Sequence, residues 1–207
     1  MTVLIIILVV IAAYLIGSFP PAYVVARLRK GVDIRQVGSR NMGAMNVFYQ
    51  VGFAAGLLVL AIDVGKGAAA VALARFLGVP VLVQYLAAVV VVLGHSYPVF
   101  LNFRGGRGGA TCIGILAFLI PWGFPAYVAA FGVVLLLTRF PTLSYSIAFI
   151  VFPMAGWFVY RDWGLAVFAI GLLMIPLLKY IPRIREMRTR GGSWRHVIRR
   201  RRLRDRL

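Results

Sequence analysis

The sequence is poor in the residue types that build metal and redox sites. It has one cysteine, Cys112, which excludes an intrachain disulfide and any metal site made of several cysteines. Its two histidines, His95 and His196, lie far apart in the chain, and no other metal-binding pattern stands out. We therefore expect that the protein uses neither a metal ion nor another cofactor.

Charged residues are also scarce, at 14% of the 207 residues, whereas an average soluble domain has roughly 25%. Apolar residues make up 62%, and several uncharged runs approach the ~20 residues that a helix needs to cross a bilayer. These runs lack the alternation of polar and apolar residues that marks a transmembrane barrel. The composition therefore predicts an all-α integral membrane protein, built as one compact bundle of transmembrane helices.

Acidic residues are the scarcest charged class, with five Asp and Glu against 23 Lys and Arg. The basic residues form one cluster at residues 27–40 and a larger one at residues 179–207. Basic clusters beside membrane helices stay in the cytoplasm. This places the N-terminus outside and the C-terminus in the cytoplasm, and it requires an odd number of spans. We predict about seven membrane segments, some of them short or kinked, with five as the alternative.

The basic C-terminal stretch is predicted to be a separate cytoplasmic tail. We divide the chain into a membrane domain, residues 1–180, and this tail, residues 181–207. Clustered Lys and Arg beside a membrane attract anionic lipid, so the tail is expected to bind the membrane surface. Nucleic acid is not an expected partner, because no interleaved aromatic residues or known motif accompany the charge.

The predicted membrane segments follow the apolar runs. Two prolines, Pro20 and Pro21, should kink or break the first segment. There the Ser18 hydroxyl and the freed carbonyls either face a cavity or mark a simple helix exit. A second proline-rich stretch, residues 121–125, predicts a turn between two short helices. The segments are residues 3–25, 53–76, 79–93, 108–138 (two short helices), 143–159 and 163–178.

Three polar stretches interrupt the apolar sequence. The first, residues 38–46, offers glycines, a hydroxyl, two amides and an arginine. In the second, Asp63 and Lys66 are three residues apart, so they lie on one helical face and can pair. Charges inside a membrane segment usually mark function or face a wet cavity, although a structural ion pair is the alternative.

The third polar stretch, residues 94–111, contains a histidine, two arginines and five glycines. Arginine pairs with anions through a planar fork of donors. Glycine lets a ligand approach the backbone N–H groups, and successive N–H groups form anion-binding hollows. No Ser–His–Asp triad or cysteine nucleophile can be assembled beside these groups. The sequence therefore favours a reaction in which positioning of phosphate does most of the work.

In order along the chain, these motifs resemble the bacterial acyl-phosphate:glycerol-3-phosphate acyltransferase family, usually called PlsY. The family's Gly-Ser-(Ile/Phe)-Pro is matched at residues 17–20. Its Gly-Val-Asp-(Ile/Leu)-Arg and the following Gly-Ser-Gly-Asn-x-Gly-Ala-Thr-Asn are matched at 31–35 and 38–46. Its Asp-x-x-Lys-Gly is matched at 63–67. Its Gly-His-x-Tyr-Pro-Val-Phe-x-x-Phe-Lys-Gly-Gly-Lys-Gly-x-Ala-Thr is matched at 94–111.

The resemblance implies transfer of an acyl group from acyl phosphate to the 1-hydroxyl of glycerol 3-phosphate, giving lysophosphatidic acid for phospholipid synthesis. It implies a multi-pass protein of the cell membrane, with the active site on the cytoplasmic side. A phosphate:acyl-carrier acyltransferase that supplies acyl phosphate is an implied partner. Positions that depart from the family's pattern include Arg104 and Arg107 (lysine in the family), Met45 (threonine), Tyr49 (arginine), Tyr180 (histidine) and Arg183 (asparagine).

The resemblance also assigns roles to the polar residues. The catalytic set is expected to be His95, Lys66, Arg107 and Ser39. The residues expected to bind substrate phosphate are Arg40, Asn41, Asn46, Arg104, Gly105, Gly106 and Gly108. Ser18 and Asp63 are expected to support the site. The general base is either the substrate phosphate, which we favour, or His95.

Two alternatives remain at the level of sequence. One is a relative with altered catalysis that binds phospholipid or phosphate, or scaffolds lipid synthesis, which the departures at Tyr180 and Arg183 favour. The other is a transporter of an organic phosphate, for which a cation-lined, kinked bundle is also suited. A transporter is expected to carry internal repeats, and none is convincing here.

Overall fold

The computed structural model describes residues 3–191 of the chain. All regular structure in this part is helical, which confirms the predicted all-α fold. A 3-10 helix, Val99–Leu101, follows α5. The α-helices are α1 (Val3–Ser18), α2 (Pro21–Lys30), α3 (Ala44–Gln50), α4 (Phe53–Phe76), α5 (Val81–Ser96), α6 (Gly109–Leu119), α7 (Gly123–Thr138), α8 (Pro141–Ala148), α9 (Val151–Phe158) and α10 (Trp163–Gly191).

The apolar helices match the predicted membrane segments. Within residues 3–191, five helical stretches are long and apolar enough to cross a membrane. Two shorter apolar helices, α6 and α7, make up the predicted pair of short helices on either side of residues 121–125. The five stretches are Val3–Lys30, Phe53–Phe76, Val81–Leu101, Pro141–Phe158 and Trp163–Met187.

Prolines decide where two of these stretches break. The first stretch divides between α1 and α2 at Pro20 and Pro21, as the sequence predicts. The segment predicted at residues 143–159 as one helix is instead split into α8 and α9. Pro153 has no N–H to donate to the carbonyl of Phe149, and that carbonyl accepts from the Phe152 N–H at 3.2 Å instead. The α-helix is therefore interrupted just before this proline.

The first of two compact units, Met1–Phe118, contains the three polar stretches. In it α1 packs along α5 at very close range. A Cβ placed on Gly17 would collide with the carbonyl of Val91, and one on Gly94 would collide with the carbonyl of Tyr14. Glycine at both positions is what lets the two backbones meet, as is common between membrane helices.

The loop after α2 is held by a small apolar core. This core joins α2, the loop, α3 and α4 beside the polar residues described below. Its fully buried members include Ile34 in the loop and Val47 in α3. The complete set is Ala22, Val25, Ala26, Ile34, Met42, Ala44, Val47 and Val59.

The second unit, Leu119–Leu207, contains α7 to α10. Its core includes the ring of Tyr127, which lies 5.1 Å from that of Phe152 and 5.6 Å from that of Phe149. The last helix, α10, continues to Gly191 through Pro176 and Pro182. The predicted boundary between residues 180 and 181 falls inside this helix, so no change of secondary structure marks it. The tail from residue 192 onward lies outside the described residues.

Candidate active site

An open pocket in the first unit is lined mainly by arginines and amides. Its volume is about 500 Å³. Two loops form it: the loop between α2 and α3, and the loop that precedes α6. With three arginines and one carboxylate, the pocket has the charge expected of an anion site. We call it the arginine pocket; its lining residues are Asp33, Arg35, Gln36, Arg40, Asn102, Arg104 and Gly105.

Both pocket loops contain residues in the left-handed region of backbone space. Arg40 has φ of 55° and Asn102 has φ of 51°. Such a conformation costs a residue with a Cβ about 1–2 kcal/mol, and it persists only where the surroundings fix it. Such outliers cluster at ligand-binding sites. The Arg40 N–H donates to the carbonyl of Val37 at 3.1 Å, which closes the turn that presents the arginine.

The amide of Asn46 holds the first loop together. Its Oδ1 accepts from the Ser39 N–H at 3.1 Å. Its Nδ2 donates to the carbonyls of Ile34, Val37 and Asn41 at 2.9, 3.0 and 3.1 Å. Asn46 is 2% exposed. Its amide is therefore engaged by the loop itself, where it supports the residues around Arg40. The expected contact with phosphate stays a prediction.

Asp33 and Arg35 form an ion pair at the edge of the pocket. Arg35 donates from Nε at 3.0 Å and from a terminal nitrogen at 2.8 Å to the two carboxylate oxygens of Asp33. This hydrogen-bonded pairing lowers the pKa of Asp33 below its usual value and raises that of Arg35. Arg35 also donates to the carbonyl of Leu101 at 3.3 Å, and its guanidinium lies 5.2 Å from the ring centre of Tyr23. The pair thus links the two pocket loops.

Asp33 and Arg35 had no role in the sequence prediction, and neither did Gln36 or Asn102. The signal for the first two was present, because both lie in the family motif at residues 31–35. Nothing in the sequence indicated Asn102, since its place in the pocket depends on the left-handed turn at the end of the 3-10 helix.

Asp63 and Lys66 pair as their spacing predicts, at 2.8 Å between Oδ1 and Nζ. The Lys66 ammonium also donates to the carbonyls of Gly17 at 3.0 Å and Phe19 at 3.1 Å. These are carbonyls that the break between α1 and α2 leaves without helical partners. The Nδ1 of His95 lies 3.3 Å from the same Asp63 oxygen. Lys66 and His95 are thus buried beside Asp63 and are absent from the pocket lining.

The glycines of the second loop have different roles. Gly105 lines the pocket. The Gly106 N–H donates to the carbonyl of His95 at 3.0 Å, so a protein acceptor already engages it. Gly108 is buried with φ of 89°, a value that favours glycine. Of the two arginines here, Arg104 lines the pocket, whereas Arg107 is half-buried and is not part of the lining.

The pocket thus unites three of the predicted site residues, namely Arg40, Arg104 and Gly105. Ser18 lies at the end of α1, fully buried, and its hydroxyl oxygen has no hydrogen-bond partner within the part of the chain that is described. The remaining predicted residues lie outside the pocket lining, in the loops, in α3 or in the buried cluster around Asp63. They are Ser39, Asn41, Asn46, Asp63, Lys66, His95, Gly106, Arg107 and Gly108.

Comparison with known proteins identifies the family. The family described as glycerol-3-phosphate acyltransferase matches residues 7–190. Proteins named glycerol-3-phosphate acyltransferase 2 from two strains of Dehalococcoides mccartyi are 50% identical over 208 residues, which is 100% of this chain and 99% of each relative. The glycerol-3-phosphate acyltransferase of Bacillus subtilis is 42% identical over 160 residues, 77% of this chain and 82% of that protein.

Solved structures of similar proteins belong to the same family. The crystal structure of PlsY (YgiH), an integral membrane glycerol 3-phosphate acyltransferase in its glycerol 3-phosphate form, has a TM-score of 0.81 and 31% identity. The match covers 89% of this chain and 92% of the PlsY chain. The crystal structure of the lysophosphatidic acid form has a TM-score of 0.79 and 30% identity, and the match covers the same fractions of the two chains. These matches and the apolar helices confirm a multi-pass membrane protein, and the names favour an acyltransferase over a transporter. The chain belongs to the glycerol-3-phosphate acyltransferase family, and it is a membrane acyltransferase of the PlsY type.

Proposed function

We propose that this acyltransferase takes its acyl group from acyl phosphate and transfers it to the 1-hydroxyl of glycerol 3-phosphate, giving lysophosphatidic acid. The single observation that carries this proposal is the arginine pocket, where Arg40 and Arg104 are exposed and converge from two loops. Both substrates carry phosphate, for which arginine offers a fork of charged donors. The resolved relative in its glycerol 3-phosphate form supports the choice of acceptor.

In this mechanism Arg40 and Arg104 hold the phosphate of glycerol 3-phosphate. Arg35 is held by Asp33 and keeps the two loops in register. The Gly105 backbone allows close approach of the substrate. Binding fixes the 1-hydroxyl against the acyl carbonyl, and such positioning supplies a large part of the rate. We keep Ser39, Asn41 and Arg107 as further proposed phosphate contacts: the first two flank Arg40, and Arg107 lies beyond Gly106.

The chemical step needs no covalent enzyme intermediate. The 1-hydroxyl oxygen attacks the acyl carbonyl, the bond between the acyl carbon and the phosphate oxygen breaks, and inorganic phosphate leaves. The hydroxyl proton passes to a substrate phosphate oxygen. We favour phosphate as the base because His95 is 3% exposed, with its Nδ1 beside Asp63, and it is absent from the pocket lining. Cys112 is buried and does not serve as a nucleophile.

The test is product formation by the purified, folded protein in detergent. With acyl phosphate and glycerol 3-phosphate, we expect equal amounts of lysophosphatidic acid and inorganic phosphate. Acyl-coenzyme A and acyl-carrier protein, supplied separately as donors, should give at least about 100-fold less product. Turnover with a thioester donor but not with acyl phosphate would contradict the proposed donor, and no turnover with any donor would contradict the acyl-transfer proposal for this chain.

We further propose that the protein lies in the cell membrane, with the arginine pocket and the C-terminus facing the cytoplasm and the N-terminus outside. The basic residues of α2 and its following loop support this, because such clusters are retained in the cytoplasm. The same proposal includes two partners. A phosphate:acyl-carrier acyltransferase delivers acyl phosphate, and anionic lipid binds the basic tail. A cysteine placed at exposed Arg29 should react with a membrane-impermeant maleimide only after the cells are opened. Labelling of intact cells would reverse the assignment.

The departures at Tyr180 and Arg183 favour one second candidate, a binding protein with little catalysis. Tyr180 donates to the sulfur of Met187 at 3.7 Å, and Arg183 pairs with Glu186 at 2.5 Å. Both side chains thus have partners on their own helix. A protein that binds glycerol 3-phosphate with normal affinity but forms no product in a single turnover would support this candidate over the enzyme.

A further inference from the structure

Three ionisable side chains lie buried together behind the arginine pocket. Asp63, Lys66 and His95 have side-chain exposures of 1, 5 and 4%. The Oδ1 of Asp63 lies 2.8 Å from the ammonium of Lys66 and 3.3 Å from Nδ1 of His95. Burying charges is costly, and a buried ion pair is often no more stable than apolar residues of similar size. The cluster, which we call the buried triad, is therefore expected to serve something besides stability.

The buried triad joins three helices at one level of the first unit. Asp63 and Lys66 come from α4, and His95 comes from the last turn of α5. Lys66 donates to the carbonyls of Gly17 and Phe19, so it also fixes the end of α1 where the chain breaks before α2. Asp63 thus links α4 to α5 through His95, and Lys66 links α4 to the end of α1.

The buried triad also touches the loop that carries Arg104, residues 104–108, which we call the arginine loop. The Gly106 N–H donates to the carbonyl of His95. A Cβ on Gly106 would collide with Nε2 of the His95 ring and with the carbonyl of Met42. The arginine loop is therefore packed between the His95 ring and the loop that carries Arg40. The His95 ring and the Met42 carbonyl thus both lie against Gly106.

We propose that the buried triad positions the arginine loop so that Arg104 and Arg40 face one phosphate, and that His95 is a positioning residue and not the general base. The proposal rests on the proposed function in one respect, which is that Arg40 and Arg104 bind substrate phosphate. It adds that Asp63, Lys66 and His95 control substrate affinity without touching the substrate.

Two substitutions of His95 separate positioning from proton transfer. His95→Asn places an amide nitrogen near the present Nδ1 and keeps the contact with Asp63, whereas His95→Leu removes it. We expect His95→Leu to raise the KM for glycerol 3-phosphate about tenfold or more, with a smaller change in kcat. We expect His95→Asn to keep kcat within about threefold of the parent. A general base typically contributes 10²–10⁴-fold, so an equal loss of kcat of about 100-fold or more in both variants would overturn the proposal.

A double-mutant cycle tests whether His95 acts through Arg104. Residues that act as a unit give non-additive effects, whereas independent sites add. We expect Arg104→Ala combined with His95→Leu to raise KM little beyond Arg104→Ala alone. Additive effects would overturn the positioning role. An unchanged KM in Arg104→Ala alone would instead contradict the proposed phosphate site, so the two failures can be told apart.

The matched control is Gln84→Met, which removes another buried polar group from α5. Gln84 donates to the carbonyl of Val79 at the opposite end of that helix. This variant should lower the melting temperature and leave KM unchanged. If His95→Leu does not fold, the paired change Asp63→Asn with Lys66→Met removes both charges and leaves neither unpaired. A folded double variant should show KM raised about fivefold or more, and KM within twofold of the parent would overturn the proposal.

Discussion

Asn46→Asp should damage the arginine pocket although it barely changes the size of the side chain. The Asn46 amide donates its two hydrogens to three backbone carbonyls and accepts from the Ser39 N–H. The carboxylate can still accept from Ser39, but its second oxygen then faces three carbonyl oxygens. A hydrogen bond contributes about 1 kcal/mol net, and an unsatisfied buried group costs about 1–3 kcal/mol. We expect a loss of roughly 2–3 kcal/mol in the free energy of unfolding.

The functional effect should exceed what stability alone explains, because the disrupted contacts fix the turn that carries Arg40. A displacement of about 1 Å at a reacting group can cost roughly 100-fold in rate, so we expect kcat/KM for glycerol 3-phosphate to fall at least tenfold. The measurements are thermal unfolding in detergent and initial rates below the unfolding transition.

The control for Asn46→Asp is Gln84→Glu, the same amide-to-acid change at a buried site away from the pocket. It should leave KM for glycerol 3-phosphate unchanged whatever its effect on stability, because the new carboxylate loses the bond to the Val79 carbonyl and gains charge beside Arg75, both away from the pocket. If Asn46→Asp unfolds at the parent temperature and keeps its KM, the reasoning about the loop is wrong.

Three further predictions follow from the pocket and the loops around it. The lowered pKa of Asp33 means that the folded protein binds fewer protons there than the unfolded chain, so its pairing with Arg35 stabilises the fold above the unfolded value of about 3.9 and is lost as pH falls through the lower, folded pKa. The pair should contribute about 1 kcal/mol or less to stability. The difference in melting temperature between the parent and Asp33→Asn should therefore be constant from pH 5 to 7 and shrink below about pH 4. Gly106→Ala should reduce kcat/KM about tenfold or more, because its Cβ would collide with the His95 ring and the Met42 carbonyl, whereas Gly65→Ala in α4, with open space around it, should retain full activity. Arg104→Lys should raise KM for glycerol 3-phosphate less than Arg104→Ala, because lysine keeps the charge and loses only the fork of donors; equal effects of the two changes would show that charge is not what the site uses.

The sequence was sufficient to predict the features that depend on local rules. The spacing of Asp63 and Lys66 predicts their pairing, because residues three apart share a helical face. Pro20 and Pro21 predict the break after α1, because proline cannot continue the hydrogen-bonding pattern. The lengths of the apolar runs predict the membrane helices, because a helix must be long enough to cross the bilayer.

The direction in which each polar side chain points could not be predicted in this way. Asn46 was expected to bind phosphate, but its amide faces the inside of its own loop. Arg35 was assigned no role, yet it reaches the carbonyl of Leu101, 66 residues further along the chain. These contacts depend on how distant loops meet, which neither periodicity nor composition encodes. The family resemblance located the polar stretches, but it did not indicate which of their residues line the arginine pocket.

The surroundings of His95 and Lys66 could not be predicted for the same reason. Both lie in motifs that the resemblance links to catalysis, and both have side chains suited to it. In the structure they are buried around Asp63, and Lys66 is held by carbonyls at the end of α1. The sequence places these residues in its polar stretches, and only the fold shows that their side chains lie outside the pocket lining.

The central claim is that the arginine pocket binds the phosphate of glycerol 3-phosphate. Its most direct test is the KM for glycerol 3-phosphate of Arg104→Ala at saturating acyl phosphate, compared with Arg29→Ala, which removes an exposed arginine of α2 that does not line the pocket. A hydrogen bond to a charged group contributes about 1.5–3 kcal/mol, which corresponds to roughly 10- to 100-fold in KM. We predict a rise of this size for Arg104→Ala and a change of less than about twofold for Arg29→Ala. Equal KM values for the two variants would contradict the account.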